Sequence, residues 1–495
     1  MMDVGTLSLL LLIGIFVLLV IGVPLGFATG LLGAIVIFGN FGVPGLGLVM
    51  QRVYDLSITY AIIAVPLFIV MASLLERSGI ARDMYDALNI TLGKMRGGVA
   101  IVTTVMAVIM AAMSGIIGGE IVLLGLVALP QMLRLGYNKN LAIGTICAGG
   151  SLGTMIPPSV VLIIFGLITE TSITALFTAA FIPGFMLAAS YIGYIVVRTR
   201  LDPSLAPLPK ADDIAGAGIA VDHAGRLSEL AYNLAPVAVG LVVALVARQL
   251  GAGGTEQVAS FIFSSAPVGL VLVFLLRNDD RHPIAKGLLP PLIVVDLVLG
   301  SIYGGVTGIT EAAAMGVVAT LLLITIRREF NLVMLFEGLE QTFRSVGTIL
   351  WVTFGATVLA GAYSLSGGNA YVADLMLNLD IAPIGLILIM MVIFLILGMF
   401  MDWIGIVLLT MPVFMPIVVK LGYDPVWFGI LFSVNMQVAF LTPPFGSAAF
   451  YLKSVTPPEI DLITIYRSFG PFICLQLAVL ALLLLFPEIS LFLVR

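Results

Sequence analysis

The sequence predicts an all-α polytopic membrane protein, and three observations predict it. Of its 495 residues, 61% are hydrophobic and 10% charged, where a soluble domain carries about 25% charged residues. Charge-free runs recur along the chain: Val4–Gln51, Gly97–Gly119, Asn140–Thr169, Thr171–Val197, Leu230–Ala247, Gln257–Leu276, Ser345–Ala373, Ile381–Met401, Pro425–Leu452 and Ser468–Pro487. A helical span takes about 20 apolar residues, so the longest runs hold two. Third, two of the runs are interrupted in their middle by a Pro-Pro pair, and the pairs lie 286 positions apart, at 157 and 443.

Taken in order, the first run has no Lys or Arg before Arg52. A cleaved signal peptide wants a positive n-region, so Thr6–Leu19 reads as part of a mature first span. The segment Glu76–Arg96 is amphipathic, with Ile80, Met84, Leu88 and Leu92 at four-residue spacing. Its counterpart, Arg327–Ser345, places Phe336, Leu339 and Phe343 on one stripe. Such stripes suit helices lying in the membrane interface, or helical loops. Between the halves, Arg198–Asn233 is the longest polar segment and reads as a linker. The apolar segments Ala235–Ala247 and Phe261–Leu276 follow, with no counterpart in the first half. The expected organisation is a first repeat at 1–197, a linker with extra helices at 198–287, and a second repeat at 288–495.

The repeat is more than one shared dipeptide. At the 286-residue offset Leu135-Gly136-Tyr137 meets Leu421-Gly422-Tyr423, Pro130 meets Pro416, Arg134 meets Lys420, and Gly184 meets Gly470. A register without gaps over this length is a strong repeat signal. Paired, interrupted hydrophobic segments in two halves point to the binding site of a secondary transporter. Arg134 and Lys420 are equivalent, so an inverted repeat puts them on opposite faces, and the positive-inside rule gives a mixed vote on orientation.

Several functions are excluded. The net charge of −5 carries no nucleic-acid signature. No phosphate-binding loop occurs, so energy for transport comes from an ion gradient or a partner chain. Cys147 and Cys474 both lie in apolar runs, and His223 and His282 in polar connections, which argues against disulfides, a thiolate metal site and a histidine proton relay. No paired aspartates or His-Glu metal motif suggests an intramembrane enzyme, and an ion channel would conduct far above transporter turnover.

The interrupted stretch Gly149–Ser159, GGSLGTMIPPS, shows what a break can do. A helix that unwinds frees carbonyls to face a cation. Proline withholds an amide that would otherwise occupy a carbonyl. The donors missing at Pro157 and Pro158 predict free carbonyls at Gly153 and Thr154. Intramembrane carboxylates are functional candidates by default. Asp402 reads as a cation ligand or as the cap of a helix, and Glu311 as either of these or as a structural hydrogen-bond partner. Glu120 reads as a helix-start carboxylate favoured by the dipole, and Asp296 as interfacial. Asn435 and Gln437 read either as substrate contacts or as partners for hairpin backbone, and Ser151 and Thr154 are further substrate candidates. No arginine lies in a broken helix, so helix N-termini and bound cations would supply the potential for an anion.

The motifs MSGIIGGE, LPQMLRLGY, GGSLGTMIPPS, FIPG, YGGVTGITEAAAMGVV and LGMFMDWIGIVLLTMPVFMPIVVKLGY, in this order, resemble the large membrane subunit of tripartite ATP-independent periplasmic (TRAP) transporters. The resemblance spans nearly the whole chain apart from the linker and extra helices. The added length and the Ser114–Glu120 tip are similar to the branch often labelled mannitol/chloroaromatic, which includes 2-oxo acid systems. The tip departs from the family's Ser-Gly-Ser-Ser pattern, with Ile116 and Ile117 replacing hydroxyls.

The resemblance implies an inverted-repeat elevator transporter of the bacterial inner membrane, with two helical hairpins and two broken helices. It implies sodium-driven uptake of a small organic acid, a small four-helix membrane subunit and a periplasmic substrate-binding protein. Two sodium sites follow. The first would use Ser114, Gly153, Ile156 and Pro158. The second would use Gly398, Asp402, Ala439, Thr442 and Pro444. The alternative is a stand-alone sodium/anion symporter of similar architecture.

Overall fold

A computed structural model of the protein describes residues 3–93, 95–115, 118–208, 223–251, 253–277, 281–444 and 446–495. Part of the polar linker, 209–222, and the middle of the first hairpin tip, 116–117, lie outside the described residues. Among the described residues ten helices are long and apolar enough to cross a membrane, and shorter apolar helices lie between them.

One group of helices frames the molecule. It comprises α1 (Val4–Val20), α2 (Leu25–Ser57), α3 (Ala64–Arg77), α4 (Ile80–Leu92), α12 (Pro283–Val295), α13 (Ile309–Ile326) and α14 (Leu332–Leu365), with α12 continuing through a π turn at Asp296–Gly300. Two helices from the segment without a repeat counterpart, α10 (His223–Gln249) and α11 (Gly254–Leu276), pack on each other and against α12. Glu229 fixes α10 to the start of α12, its carboxylate accepting from the amides of Ile284 (3.3 Å) and Ala285 (2.7 Å). Glu311 has the structural role: Tyr60 donates to it at 2.8 Å, tying the turn before α3 to the first turn of α13. Asp296 accepts from Ser265 at 2.7 Å, which joins α11 to the π turn.

α2, which breaks at Gly42 (φ 66°), and the long α14 form the most extensive pairing of the frame, and glycine makes it close. A Cβ at Gly26 would lie 2.7 Å from the Trp351 carbonyl oxygen, and one at Gly33 would lie 2.7 Å from the Leu359 nitrogen. With lipid on the outside there is no hydrophobic drive between helices, so small residues that let backbones approach carry the association.

The second group holds the repeat. It comprises α5 (Gly98–Ser114), α6 (Gly119–Arg134), α7 (Lys139–Ser151), α8 (Val160–Thr169) and α9 (Ile173–Leu201), then α16 (Pro383–Gly398), α17 (Trp403–Lys420), α18 (Pro425–Leu441), α19 (Ser447–Lys453) and α20 (Leu462–Leu485). Shifted by 286, the first residue of α7 falls on the first of α18, and the last of α6 on the last of α17. The caps repeat too. Asn138 accepts from the Asn140 amide at 2.9 Å, and Asp424 from the Val426 amide at 2.8 Å. A short helix, α15 (Gly368–Leu377), lies before α16.

One expectation is corrected. The stripe of Phe336, Leu339 and Phe343 is not a separate interface helix. Residues 332–365 form one continuous helix of 34 residues, and Phe336 and Phe343 stand 69% and 83% exposed on its outer side. No proline separates the amphipathic stretch from the apolar one that follows, and Gly347 at the junction keeps helical backbone, so the helix runs on. In the first half Gly79, Gly93 and Gly97 bracket α4 and keep it separate, and Ile80, Met84 and Leu88 are buried.

Substituting Gly33→Val should destabilise the protein by about 2–3 kcal/mol, because backbone would have to move apart. Gly39→Ala, where a Cβ meets open space, should show no loss. Thermal unfolding in detergent checks both.

Candidate functional site

The two interrupted helices are built by local rules. In the first, α7 ends at Ser151, a 3-10 turn covers Leu152–Thr154, and α8 starts at Val160. Pro157 and Pro158 donate nothing, and no described donor reaches the carbonyls of Gly153, Ile156 or Pro158. Thr154 corrects the expectation that its carbonyl is free. The Ser159 hydroxyl donates to it at 2.6 Å, and Ser159 also caps α8 by accepting from the Leu162 amide at 3.4 Å. In the second, α18 ends at Leu441 and α19 begins at Ser447. Both Pro-Pro bonds are cis.

The hairpin tips sit against these breaks. Ser114 ends α5 and Gly115 follows with φ 62°, in the left-handed region that suits glycine. A Cβ there would run into the Pro158 carbonyl, and the Gly115 carbonyl accepts from the Val160 amide at 3.1 Å. The Ser114 hydroxyl donates to Glu120, which is fully buried in the first turn of α6. The hydroxyl's lone pairs stay available. In the second half Gly398 ends α16 against the Ala439 side chain, and Asp402 caps α17, accepting from the Ile404 amide at 3.4 Å.

Ser114, Gly153, Ile156 and Pro158 therefore share one buried region, and Gly398, Ala439 and Asp402 meet around the other break. Three oxygens of the second group have partners already. The Ala439 carbonyl accepts from the Thr442 amide at 3.1 Å, the Thr442 hydroxyl donates to Val438 at 2.7 Å, and the Pro444 carbonyl accepts from Tyr466 at 2.8 Å.

Between the tips lies a cavity of about 350 Å³. Gly115 borders it from the first tip and Gly398, Phe400, Met401 and Asp402 from the second. Val160 and Val161 open α8, Trp403 and Ile404 open α17, and Ser447 opens α19, with Phe440 and Tyr451 beside them. Ser345 and Ile349 of α14 close it from the frame. Helix N-termini thus converge on one space. Each carries partial positive charge and together they favour an anion. Ser447 borders the same space, and its hydroxyl is shielded from solvent with no partner among the described residues. Among the described residues Asp402 is the one charged side chain on the wall.

Among the described residues none of the four substrate candidates borders this cavity. Ser151 donates to the Ala148 carbonyl at 2.8 Å and Thr154 to the Ser151 carbonyl at 2.9 Å, so both hydroxyls serve their own helix. Asn435 donates to the Met391 carbonyl at 2.9 Å and so satisfies hairpin backbone, the second of its two expected roles. Gln437 is fully buried with both amide atoms unpartnered. Trp403, Ser447 and Tyr451 were missed. The signal for Trp403 and Ser447 was positional, since each is the first residue after a break.

Residues 12–489 match the family described as DctM, Tripartite ATP-independent periplasmic transporter, DctM component. The chain belongs to this family. It is 26% identical over 94% of its length to the C4-dicarboxylate TRAP transporter large permease protein DctM of Pseudomonas aeruginosa, covering 93% of that protein. It is 27% identical to the ectoine TRAP transporter large permease protein TeaC of Halomonas elongata, over 96% of each chain, and 26% identical to the sialic acid TRAP transporter large permease protein SiaM of Vibrio cholerae, again over 96% of each. The crystal structure of the Alcanivorax borkumensis YdaH transporter is similar at a TM-score of 0.53, over 90% of each chain at 17% identity, which shows a shared fold. A DctM component is a transporter permease and not an enzyme, one part of a tripartite system, and a multi-pass protein of the bacterial inner membrane.

Gly115→Ala places a methyl against the Pro158 carbonyl in a left-handed conformation. Uptake by this DctM component should fall at least tenfold, with the protein still monodisperse. Reconstituted transport and gel filtration check the two halves of the expectation.

Proposed function

We propose that this DctM component carries out sodium-coupled uptake of a small organic anion. The observation that carries the reading is the convergence of helix N-termini, and of Ser447 with its unpartnered hydroxyl, on one cavity between two hairpin tips. Such a wall binds a carboxylate without a buried arginine. The names of its relatives, which include carriers for C4-dicarboxylates and sialic acid, support an organic acid as cargo.

The first sodium would lie among the Gly153, Ile156 and Pro158 carbonyls and the Ser114 hydroxyl. Hard cations take oxygen ligands, and these carbonyls have no described donor. The second would lie among Gly398, Ala439, Thr442, Asp402 and Pro444. A carbonyl has two lone pairs, so the partners already present leave one on each for a cation. Cations there would also offset the Asp402 carboxylate on the cavity wall.

Movement would follow an elevator: the repeat group slides along the frame, carrying the cavity with it. The division of the helices into a glycine-packed frame and a repeat group supports this. A small four-helix membrane subunit would brace the frame, whose exposed Phe336 and Phe343 face outward, and a periplasmic binding protein would deliver the anion.

Proteoliposomes holding this chain with its small subunit and binding protein should take up organic anion only with an inward sodium gradient. Full sodium-driven uptake by this chain alone would overturn the tripartite reading in favour of a stand-alone symporter. Ser114→Ala and Thr442→Val should each raise the sodium concentration for half-maximal uptake roughly five- to thirtyfold, the equivalent of about 1–2 kcal/mol of lost ligation. Unchanged sodium dependence in both would remove side-chain ligation.

A further inference from the structure

A second cavity, of about 200 Å³, lies further along the same helices. Its wall includes Ile168 of α8, Thr357, Gly361 and Ser364 of α14, and Leu408 and Pro412 of α17. The central cavity touches these three helices at Val160, Ser345 and Trp403. At 1.5 Å per residue, Thr357 is about 18 Å along α14 from Ser345, so the two cavities are stations on one track.

Their chemistry is opposite. The central cavity has a carboxylate and no cation on its wall. The second has Arg52 as its one charged side chain. Arg52 makes no hydrogen bond or ion pair with any described residue, and its guanidinium lies over the face of α14 at Gly361, where a Cβ would be 3.4 Å from Nε. The Thr357 hydroxyl is shielded from solvent with no partner, and so is Oδ1 of Asn369, whose amide nitrogen donates to the Pro412 carbonyl at 3.1 Å. An unpaired guanidinium beside a free hydroxyl is a carboxylate site, and the open Asn369 oxygen accepts from a hydroxyl or amine on the same ligand.

We propose that Arg52 and Thr357 form a second substrate station, which holds the carboxylate of a hydroxy- or amino-substituted organic acid on its way between solution and the central cavity. This rests on the organic-anion reading above. Arg52, which follows the break in α2 at Gly42, and Thr357 of α14 are the frame's part of the station, and Ile168, Leu408 and Pro412 of the repeat group face them across it. An anion held there is concentrated beside the track without the ordering of the hairpin tips.

The test is uptake by the complete transporter in proteoliposomes, with malate, 2-oxoglutarate and N-acetylneuraminate as probes. For whichever probe is taken up, Arg52→Gln should lower kcat/KM about tenfold through KM, and Arg52→Lys about threefold, since a point charge replaces the planar fork. Thr357→Val should cost about threefold through the lost hydrogen bond. In all three kcat and the sodium dependence should be unchanged. Arg52 is exposed and unpaired, so the variants should fold as the wild type does. If the wild type moves none of the probes, the transport reading fails and the station with it. Wild-type uptake with an unchanged KM in Arg52→Gln overturns the station alone, as does a fall confined to kcat. An Arg52→Gln defect that vanishes in vesicles free of anionic lipid also overturns it, because the ligand is then a lipid phosphate.

Discussion

In a bilayer every backbone amide and carbonyl must find a partner inside the protein, and the rest of this structure follows from breaking that rule at two places. An interrupted helix is tolerable in hydrocarbon only where protein surrounds the break. Here the surround is a hairpin tip. Gly115 rests on the Pro158 carbonyl and returns its own carbonyl to the Val160 amide at 3.1 Å. Gly398 does the equivalent steric job against Ala439. Side chains complete the pairing: Ser159 occupies the Thr154 carbonyl, Asn435 takes the Met391 carbonyl, and Tyr466 takes that of Pro444. No described donor reaches the carbonyls of Gly153, Ile156 and Pro158, nor those of Met155 and Pro157 between them, and these oxygens are free to do something else.

The same break produces the cavity's electrostatics. A helix that stops and restarts makes a new N-terminus at membrane depth. Val160, Trp403 and Ser447 each begin a helix and each borders the cavity. A buried arginine would need a permanent counter-charge, whereas a helix end offers partial charge at no cost in ion desolvation. That explains why the central wall has no cation and tolerates Asp402, which caps α17 rather than pairing with a basic residue. Full positive charge is kept at Arg52, which stays accessible.

How much of this is legible in the sequence depends on whether a feature repeats or is local. Two boundaries of the repeat group, the ends of α6 and α17 and the starts of α7 and α18, follow from the 286-residue offset, and so do the Asn138 and Asp424 caps. The resemblance of the motifs to TRAP permeases covers the same ground, and the family match over residues 12–489 agrees with it. Side-chain partners were less legible. Polarity and depth selected Ser151, Thr154, Asn435 and Gln437 as substrate contacts. Yet a hydroxyl inside a helix readily turns back to a carbonyl three or four residues earlier, as Ser151 and Thr154 do. Depth in a membrane protein marks what must be satisfied before it marks what binds. Tyr451 comes to the cavity across the chain, and no local pattern brings it out.

A sliding mechanism needs one part that does not deform. The close contact of α2 and α14 at Gly26 and Gly33 depends on backbone rather than on long side chains, and well-packed interfaces resist continuous deformation. The continuous 34-residue α14 follows from the same need. Had its amphipathic stretch broken off as a separate interface helix, as it does at α4, Ser345 and Thr357 would lie on different bodies. In one unbroken helix Ser345 and Thr357 hold a constant separation, and both cavities border that helix. In the proposed elevator the repeat group, whose own contacts centre on breaks and glycine tips, would be the part that shifts along it.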